Sequence, residues 1–233
     1  MTIQQADPVR VGEIPEFSLV SRPENLPGWT EPSRPLFDTT ADAILSLVGV
    51  PDSYRGWKAK DFPEIAPPAW NRGGICIRGN IGAGKSCLAA ALLRTRLRSD
   101  HEKTLATERE STASSKFEIK SGAAKWMRCG EVLFAARGAF RDGGRSEESI
   151  ICEAVAPRLL VLDDLCSGKT TDAGWTIISE IIARRVDWRR DTIVSTNLTL
   201  EEINQNEPRL ASRLAAMESI VLKNDDRRLR KIS

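Results

Sequence analysis

Gly79-Asn80-Ile81-Gly82-Ala83-Gly84-Lys85-Ser86 is the stretch whose reading decides the fold. It fits G-x-x-x-x-G-K-[ST], the phosphate-binding loop called Walker A. Its glycines let the backbone curl until several N–H groups face one anion. Lys85 adds a point charge for β- and γ-phosphates, and Ser86 offers a hydroxyl to Mg²⁺. The nucleotide-holding set therefore runs from Gly79 through Cys87. The flanks agree with the motif. Ile75-Cys76-Ile77 reads as a short buried strand, and Leu88 to Leu97 as the helix whose N-terminal dipole sits under the phosphates.

Further along, Leu159-Leu160-Val161-Leu162 is a continuous apolar run, the pattern of a central parallel strand covered on both faces. It ends in Asp163-Asp164. Thr192-Ile193-Val194-Ser195 is another strand and ends at Thr196-Asn197. Ala123 to Met127 and Ile220-Val221-Leu222 complete a set of five strands. Helices are expected between them: Glu131 to Phe140, Glu147 to Val155, a stripe of Trp175, Ile178, Ile181 and Ile182 capped by Thr171 or Asp172, then Leu200–Asn204 and Arg209–Met217. Strands alternating with helices predict a three-layer α/β fold with a central parallel five-stranded sheet. Ligands in such sheets gather at the carboxyl ends of strands. The loop after Ile77, the acids after Leu162 and Asn197 after Ser195 all obey that rule.

These residue types suit hydrolysis of a nucleotide. Asp163 takes the Mg²⁺-holding position at a strand end. Asp164 orients or deprotonates the attacking water, where many ATPases place the longer Glu. Asn197 positions the same water or touches the γ-phosphate. A second Gly168-Lys169-Thr170 is no nucleotide site, because Asp163 stands where its first glycine belongs and no strand leads into it.

Composition narrows the rest. A chain of 233 residues with 41% hydrophobic content suits one large domain, or one domain with a tail. The net charge of +2 announces no polyanionic partner by itself. The five cysteines are scattered without a C-x-x-C pair, and His101 is the single histidine, so a disulfide framework or zinc site is not expected and a reducing cytoplasm fits. No apolar run approaches the roughly 20 residues of a membrane span, and no secretory signal is visible at the N-terminus.

Residues 1–38 are Pro-rich, with seven acids against three arginines through residue 50. They are expected to be a mostly disordered acidic tail, with Phe17, Leu19, Val20 and Trp29 as anchors for a partner. The domain is expected over 39–233. It opens on a helix from Asp38 or Thr39 to Val48 that Gly49 and Pro51 end. A polar excursion is expected at about 99–122.

The run from Gly49-Val50-Pro51 through the loop, with LLVLDDL at Leu159–Leu165, TIVSTNLTLEEI at Thr192–Ile203 and EPRLASRL at Glu207–Leu214, resembles the DnaC/IstB family of AAA+ ATPases. These are bacterial helicase loaders and transposition helper proteins. The resemblance covers roughly Gly49 to Leu222. It implies an AAA+/ASCE P-loop NTPase that binds ATP and Mg²⁺, hydrolyses ATP and assembles on DNA, with single-stranded DNA favoured. It implies loading or remodelling of a replicative helicase as the leading function. Work with a transposase on double-stranded DNA is the alternative, and an ATP-gated assembly module with negligible turnover is a third reading of another class. Asn197 matches the sensor 1 position. Arg213, with Arg209 as fallback, matches an arginine finger that reaches a neighbouring subunit's γ-phosphate, so a homo-oligomer is implied in the ATP state. Little or no helical lid is expected after the last strand, and with it no sensor 2 arginine. For DNA contact the candidates are Arg141 and Arg145 in a Gly-rich loop, and Arg184, Arg185, Arg189 and Arg190.

Overall fold

Period-two alternation inside short apolar runs builds the sheet. In β1 (Gly74–Gly79), Ile75 and Ile77 enter one core cluster and Cys76 the other. The same alternation divides Leu159 and Val161 from Leu160 and Leu162 in β3 (Leu159–Asp163), and Ile193 from Val194 in β4 (Asp191–Thr196). Every one of these side chains is at most 4% exposed, so both faces of the central strands are covered. The structure, a computed structural model, describes residues 40–70, 73–108, 124–139, 146–166 and 170–223.

β2 (Ala124–Arg128) and β5 (Glu218–Leu222) complete a five-stranded sheet in the order β2-β3-β4-β1-β5. All its pairings are parallel. One face carries α1 (Thr40–Leu47), which supplies Leu45, the single turn α2 (Asp52–Arg55), whose Tyr54 packs against the same cluster, and α3 (Lys85–Glu108), which supplies Leu88 to Leu93. The other carries α4 (Cys129–Ala139), α5 (Glu147–Val155), α6 (Asp172–Asp187) and α8 (Pro208–Ala216), with Ile203 of α7 (Leu200–Asn206) in the same cluster. The expected three-layer α/β architecture is the one found.

Local chemistry explains the boundaries. Ser146 caps α5 through Ser149 N–H, Thr171 caps α6 through Gly174 N–H, and Thr199 with Glu202 forms a capping box on α7. α3 runs past the expected Leu97 to Glu108, into the polar stretch expected to be an excursion. No Gly or Pro interrupts Lys85–Glu108, and its Ala, Leu, Arg, Lys and Glu are strong helix formers, so polarity alone did not end it. The remainder of that stretch, 109–122, lies outside the described residues, as do 1–38 and the proposed caps Asp38 and Thr39. α1 stops at Gly49, whose φ of +89° leaves the helical region. The Val48 carbonyl then accepts the Trp126 amide at 2.7 Å, so this segment lies along the outer edge of β2. Among the described residues, no helix is long and apolar enough to cross a membrane.

Candidate functional site

The strand order sets the site. β1 sits between β4 and β5, while its successor β2 lies on the far edge. The chain leaving β1 therefore turns at a topological switch, where crevices form at strand carboxyl ends. Gly79, Gly82 and Gly84 have φ values of +154°, +82° and +92°, which L side chains rarely adopt. Gly79 also has no room for a side chain: a Cβ there would sit 2.5 Å from the Leu222 carbonyl oxygen. The loop curls over Lys85, whose Nζ donates to the Gly79 carbonyl at 2.9 Å and the Asn80 carbonyl at 2.8 Å. Ala83 is buried at the base of the loop, and Ile81, 72% exposed, lines the cleft.

Ser86 follows on the first turn of α3. Its hydroxyl donates to Asp163 Oδ1 at 2.9 Å, across the width of β4. Ser195 of β4 donates to the same oxygen at 2.5 Å. Asp163 is 2% exposed, and burial raises its pKa above the ordinary 3.8. The Ser195 and Ser86 hydrogen bonds pull in the other direction, the Asp164 charge raises it and the Arg128 charge lowers it. A hydroxyl and a buried carboxylate on one oxygen make a hard donor pair of the kind that holds a small divalent cation with phosphate oxygens.

Asp164 stands next, exposed, with φ of +59°. That left-handed backbone is held from behind: the Asp164 amide donates to Ser195 Oγ at 2.8 Å, and the Leu165 amide to the Ser195 carbonyl at 2.7 Å. Strain at a non-glycine residue persists where the surroundings over-determine it. Thr196 Oγ1 donates to the Leu165 carbonyl at 3.1 Å and accepts the Leu198 amide at 3.1 Å, fixing the backbone on both sides of Asn197. Asn197 Oδ1 is buried without a hydrogen-bond partner among the described residues.

These groups share one cleft of about 750 Å³. Ile81, Gly82, Gly84, Lys85, Ser86, Cys87, Asp163, Asp164 and Asn197, all expected from the sequence, line it together. Sequence reasoning missed four others. Arg128 ends β2 in register with Asp163 and also lines the cleft. The strand was expected to stop at Met127, so Arg128 escaped the rule about strand ends. Ser195 was read as a strand residue only. Tyr54 and Trp57 add two aromatic rings to the lining, from a segment between Pro51 and β1 to which no motif drew attention. They are braced by Trp126 and Phe62, at ring separations of 5.9 and 5.7 Å.

The arginines behave differently. Arg213 lies on α8, outside the cleft lining, and donates to the Arg209 carbonyl of its own helix at 3.3 Å. Arg184 is held by Glu148 and Glu180, each at 2.6 Å. Arg185 corrects the expectation of DNA contact: it is fully buried at 0% exposure. Its guanidinium donates to the carbonyls of Ala154, Val155 and Pro157 at 3.0, 3.0 and 2.9 Å, to that of Asp191, and to Thr192 Oγ1 at 2.9 Å. Burial, then the Arg190 charge, pushes its pKa down to about 9, still protonated at neutral pH. A helix-end arginine looks solvated in sequence, but here the α5–β3 connection closes over it. Arg141 and Arg145 lie outside the described residues.

No protein-family model and no curated protein matches the sequence. Solved structures do match in fold. Domain III of the Thermotoga maritima replication initiation protein DnaA aligns with TM-score 0.51 and 14% identity, over 74% of this chain and 64% of that one. A DNA replication initiation factor aligns with TM-score 0.49 and 17% identity, over 74% of this chain and 46% of its own length. A DnaC helicase loader aligns with TM-score 0.47 and 21% identity, over 70% and 85%. The chain thus spans less than half the length of the full initiators it matches. At these identities the likeness is one of fold alone: a parallel α/β sheet with helices on both faces.

Proposed function

We propose that the chain binds ATP with Mg²⁺ and hydrolyses it, as an AAA+ helper that assembles on DNA to load or remodel a replicative helicase. The observation that carries the nucleotide reading is the sharing of Asp163 Oδ1 by Ser86 and Ser195, 2.9 and 2.5 Å away, in the cleft that holds Lys85 and Asp164. Each residue then has a task. Loop amides and Lys85 bind the phosphates. Ser86 and Asp163 would hold the cation, which when bound would neutralise phosphate charge. Asp164 takes the proton of the attacking water, reaching it at one methylene less than a glutamate. The buried acceptor Asn197 Oδ1 orients that water by receiving one of its O–H groups. Tyr54 and Trp57 give the base an apolar wall.

The DNA and helicase parts rest on the sequence resemblance. Arg213 is not among the residues that line its own cleft, which suits a finger supplied to a neighbouring copy. The test of the enzyme reading uses two variants. Lys85→Ala should abolish ATP binding, while Asp164→Asn should keep binding and lose hydrolysis. Wild type with DNA that turns over no faster than Asp164→Asn would leave only an ATP-gated assembly module, the reading the short Asp164 favours. Binding assays with a purified replicative helicase and a purified transposase decide the partner.

A further inference from the structure

Asp163 has neighbours on two sides. The strand order sets β4 on one side of β3 and β2 on the other. From the β4 side, Ser195 and, farther off, Ser86 donate to Asp163 Oδ1. On the β2 side, the parallel register puts Arg128 opposite Asp163. Adjacent strands lie about 4.8 Å apart, well within the span of an arginine side chain. Arg128 is exposed and lines the cleft with Lys85, Ser86, Asp163 and Asp164. Its backbone is fixed on both sides. The Trp126 amide, two residues before, donates to the Val48 carbonyl, and Cys129, immediately after, is buried at the start of α4. The guanidinium has no hydrogen-bond or ion-pair partner among the described residues. Arg96, Arg184 and Arg185, by contrast, are each held by one or more. A cation that stands beside two carboxylates and pairs with neither is available to an anionic ligand.

The sheet also decides which part of a ligand Arg128 meets. In the nucleotide reading of this cleft, the loop after β1 cradles the inner phosphates. The Ser86–Asp163 pair lies farther along, at the end of β3. The path from β1 to β3 crosses β4, and the next strand on that path is β2. The group that lies past the Ser86–Asp163 pair is the terminal phosphate. We propose that Arg128 reads that terminal phosphate from within its own chain, so that the cleft distinguishes a nucleoside triphosphate from a diphosphate before any second copy docks. The planar guanidinium offers parallel N–H donors to two phosphate oxygens. With a diphosphate bound, those donors have no oxygen in reach, and Arg128 contributes only a distant charge. The proposal rests on the nucleotide reading of the cleft, but on neither hydrolysis nor assembly.

The experiment titrates the full chain, at protein concentrations that keep it monomeric, with ADP and with a non-hydrolysable β,γ-methylene analogue of ATP, both with Mg²⁺. Wild type is expected to favour the triphosphate analogue at least about tenfold. Arg128→Ala should weaken the analogue by about tenfold or more and change ADP by less than about twofold, which erases the preference. The retained ADP affinity reports that the variant is folded. Arg128→Lys, which keeps the charge without the planar donors, should recover only part of the preference. Lys85→Ala, the control for the loop, should lose both ligands. Equal weakening of both ligands by Arg128→Ala and Arg128→Lys assigns Arg128 a general charge effect and overturns the proposal. A preference that survives Arg128→Ala but disappears in Arg213→Ala moves the reading of the terminal phosphate to a neighbouring copy, and overturns it as well. A wild type that binds ADP and the analogue alike overturns it while leaving the cleft a nucleotide site. A wild type that binds neither overturns the nucleotide reading, and the proposal with it.

Discussion

Ser195 donates its hydroxyl proton to Asp163 Oδ1 at 2.5 Å and accepts the Asp164 amide at 2.8 Å, so one side chain on β4 fixes both acids at the end of β3. The pairing of Ser195 with Ile77 ties that same position to the strand that feeds the phosphate loop. Ser195→Ala removes one charge-assisted hydrogen bond and the brace behind a left-handed backbone. A hydrogen bond to a charged group contributes about 1.5–3 kcal/mol, so turnover is expected to fall roughly 10- to 100-fold. Nucleotide affinity should stay within about threefold, because phosphate binding resides in loop amides and Lys85. Steady-state kinetics beside equilibrium nucleotide titration separates the two effects.

Asp163 gives a stability prediction with a defined sign. Burial raises its folded pKa above the unfolded 3.8. The folded chain therefore binds this proton more tightly, and the resulting stability is complete below pH 3.8 and lost as pH climbs through the folded value. Asp163→Asn keeps an oxygen for the Ser86 and Ser195 hydroxyls without the buried charge. In the absence of Mg²⁺ and nucleotide, it should melt above wild type at neutral pH, with the difference shrinking as pH falls. A series of thermal melts across pH checks this; a gap that widens toward acid would refute the linkage.

The division between what was legible in the sequence and what was not has a physical basis. The phosphate loop, both acids and Asn197 could be placed because each follows an apolar run that can only be a buried strand. The α5 boundaries matched, since Ser146 and the Glu147–Glu148 pair mark a helix start unambiguously. Lateral relations were not legible. Nothing local in the sequence says that Ser195 touches Asp163, since their contact depends on β4 lying beside β3. Arg185 looked like its neighbour Arg184, and only the tertiary closure of five oxygen acceptors distinguishes them.

Arg128 supplies a cationic charge to the cleft from within the same chain, in register with Asp163. Arg128→Ala removes a charge that lowers the Asp163 pKa, so that pKa should rise further. The acidic limb of the pH–rate profile is then expected to move to higher pH, with turnover at its optimum down by about tenfold. Arg128→Lys, which keeps the charge, should restore the limb. An unchanged profile in both variants would confine Arg128 to the cleft rim.

The two adjacent arginines should separate cleanly. Arg185→Met leaves the Ala154, Val155 and Pro157 carbonyls without their donor inside the core. Unsatisfied buried groups cost about 1–3 kcal/mol each, so a loss of at least about 3 kcal/mol is expected. For a domain of this size that lowers the melting temperature by roughly 6–12 °C. Arg184→Ala, which gives up a partly solvated pairing with Glu148 and Glu180, should change it by less than about 2 °C.

Gly79→Ala tests whether the phosphate loop and the sheet edge are one construction. A methyl group at Gly79 would meet the Leu222 carbonyl oxygen at 2.5 Å and the Leu222 Cβ at 3.2 Å, on a backbone with φ of +154°. Neither atom is the far end of a flexible side chain, so either β5 shifts or β1 twists away from it. The Gly79 carbonyl also accepts the Lys85 ammonium, so any twist at Gly79 displaces the charge meant for the phosphates. The variant is therefore expected to lose at least about 2 kcal/mol of stability and to bind nucleotide at least about tenfold more weakly. Gly56→Ala, where nothing lies within 4 Å of the added methyl, is the matched control and should do neither. Stability lost without a change in nucleotide affinity would show that β5 absorbs the methyl group and that the loop is set by Gly82 and Gly84 alone.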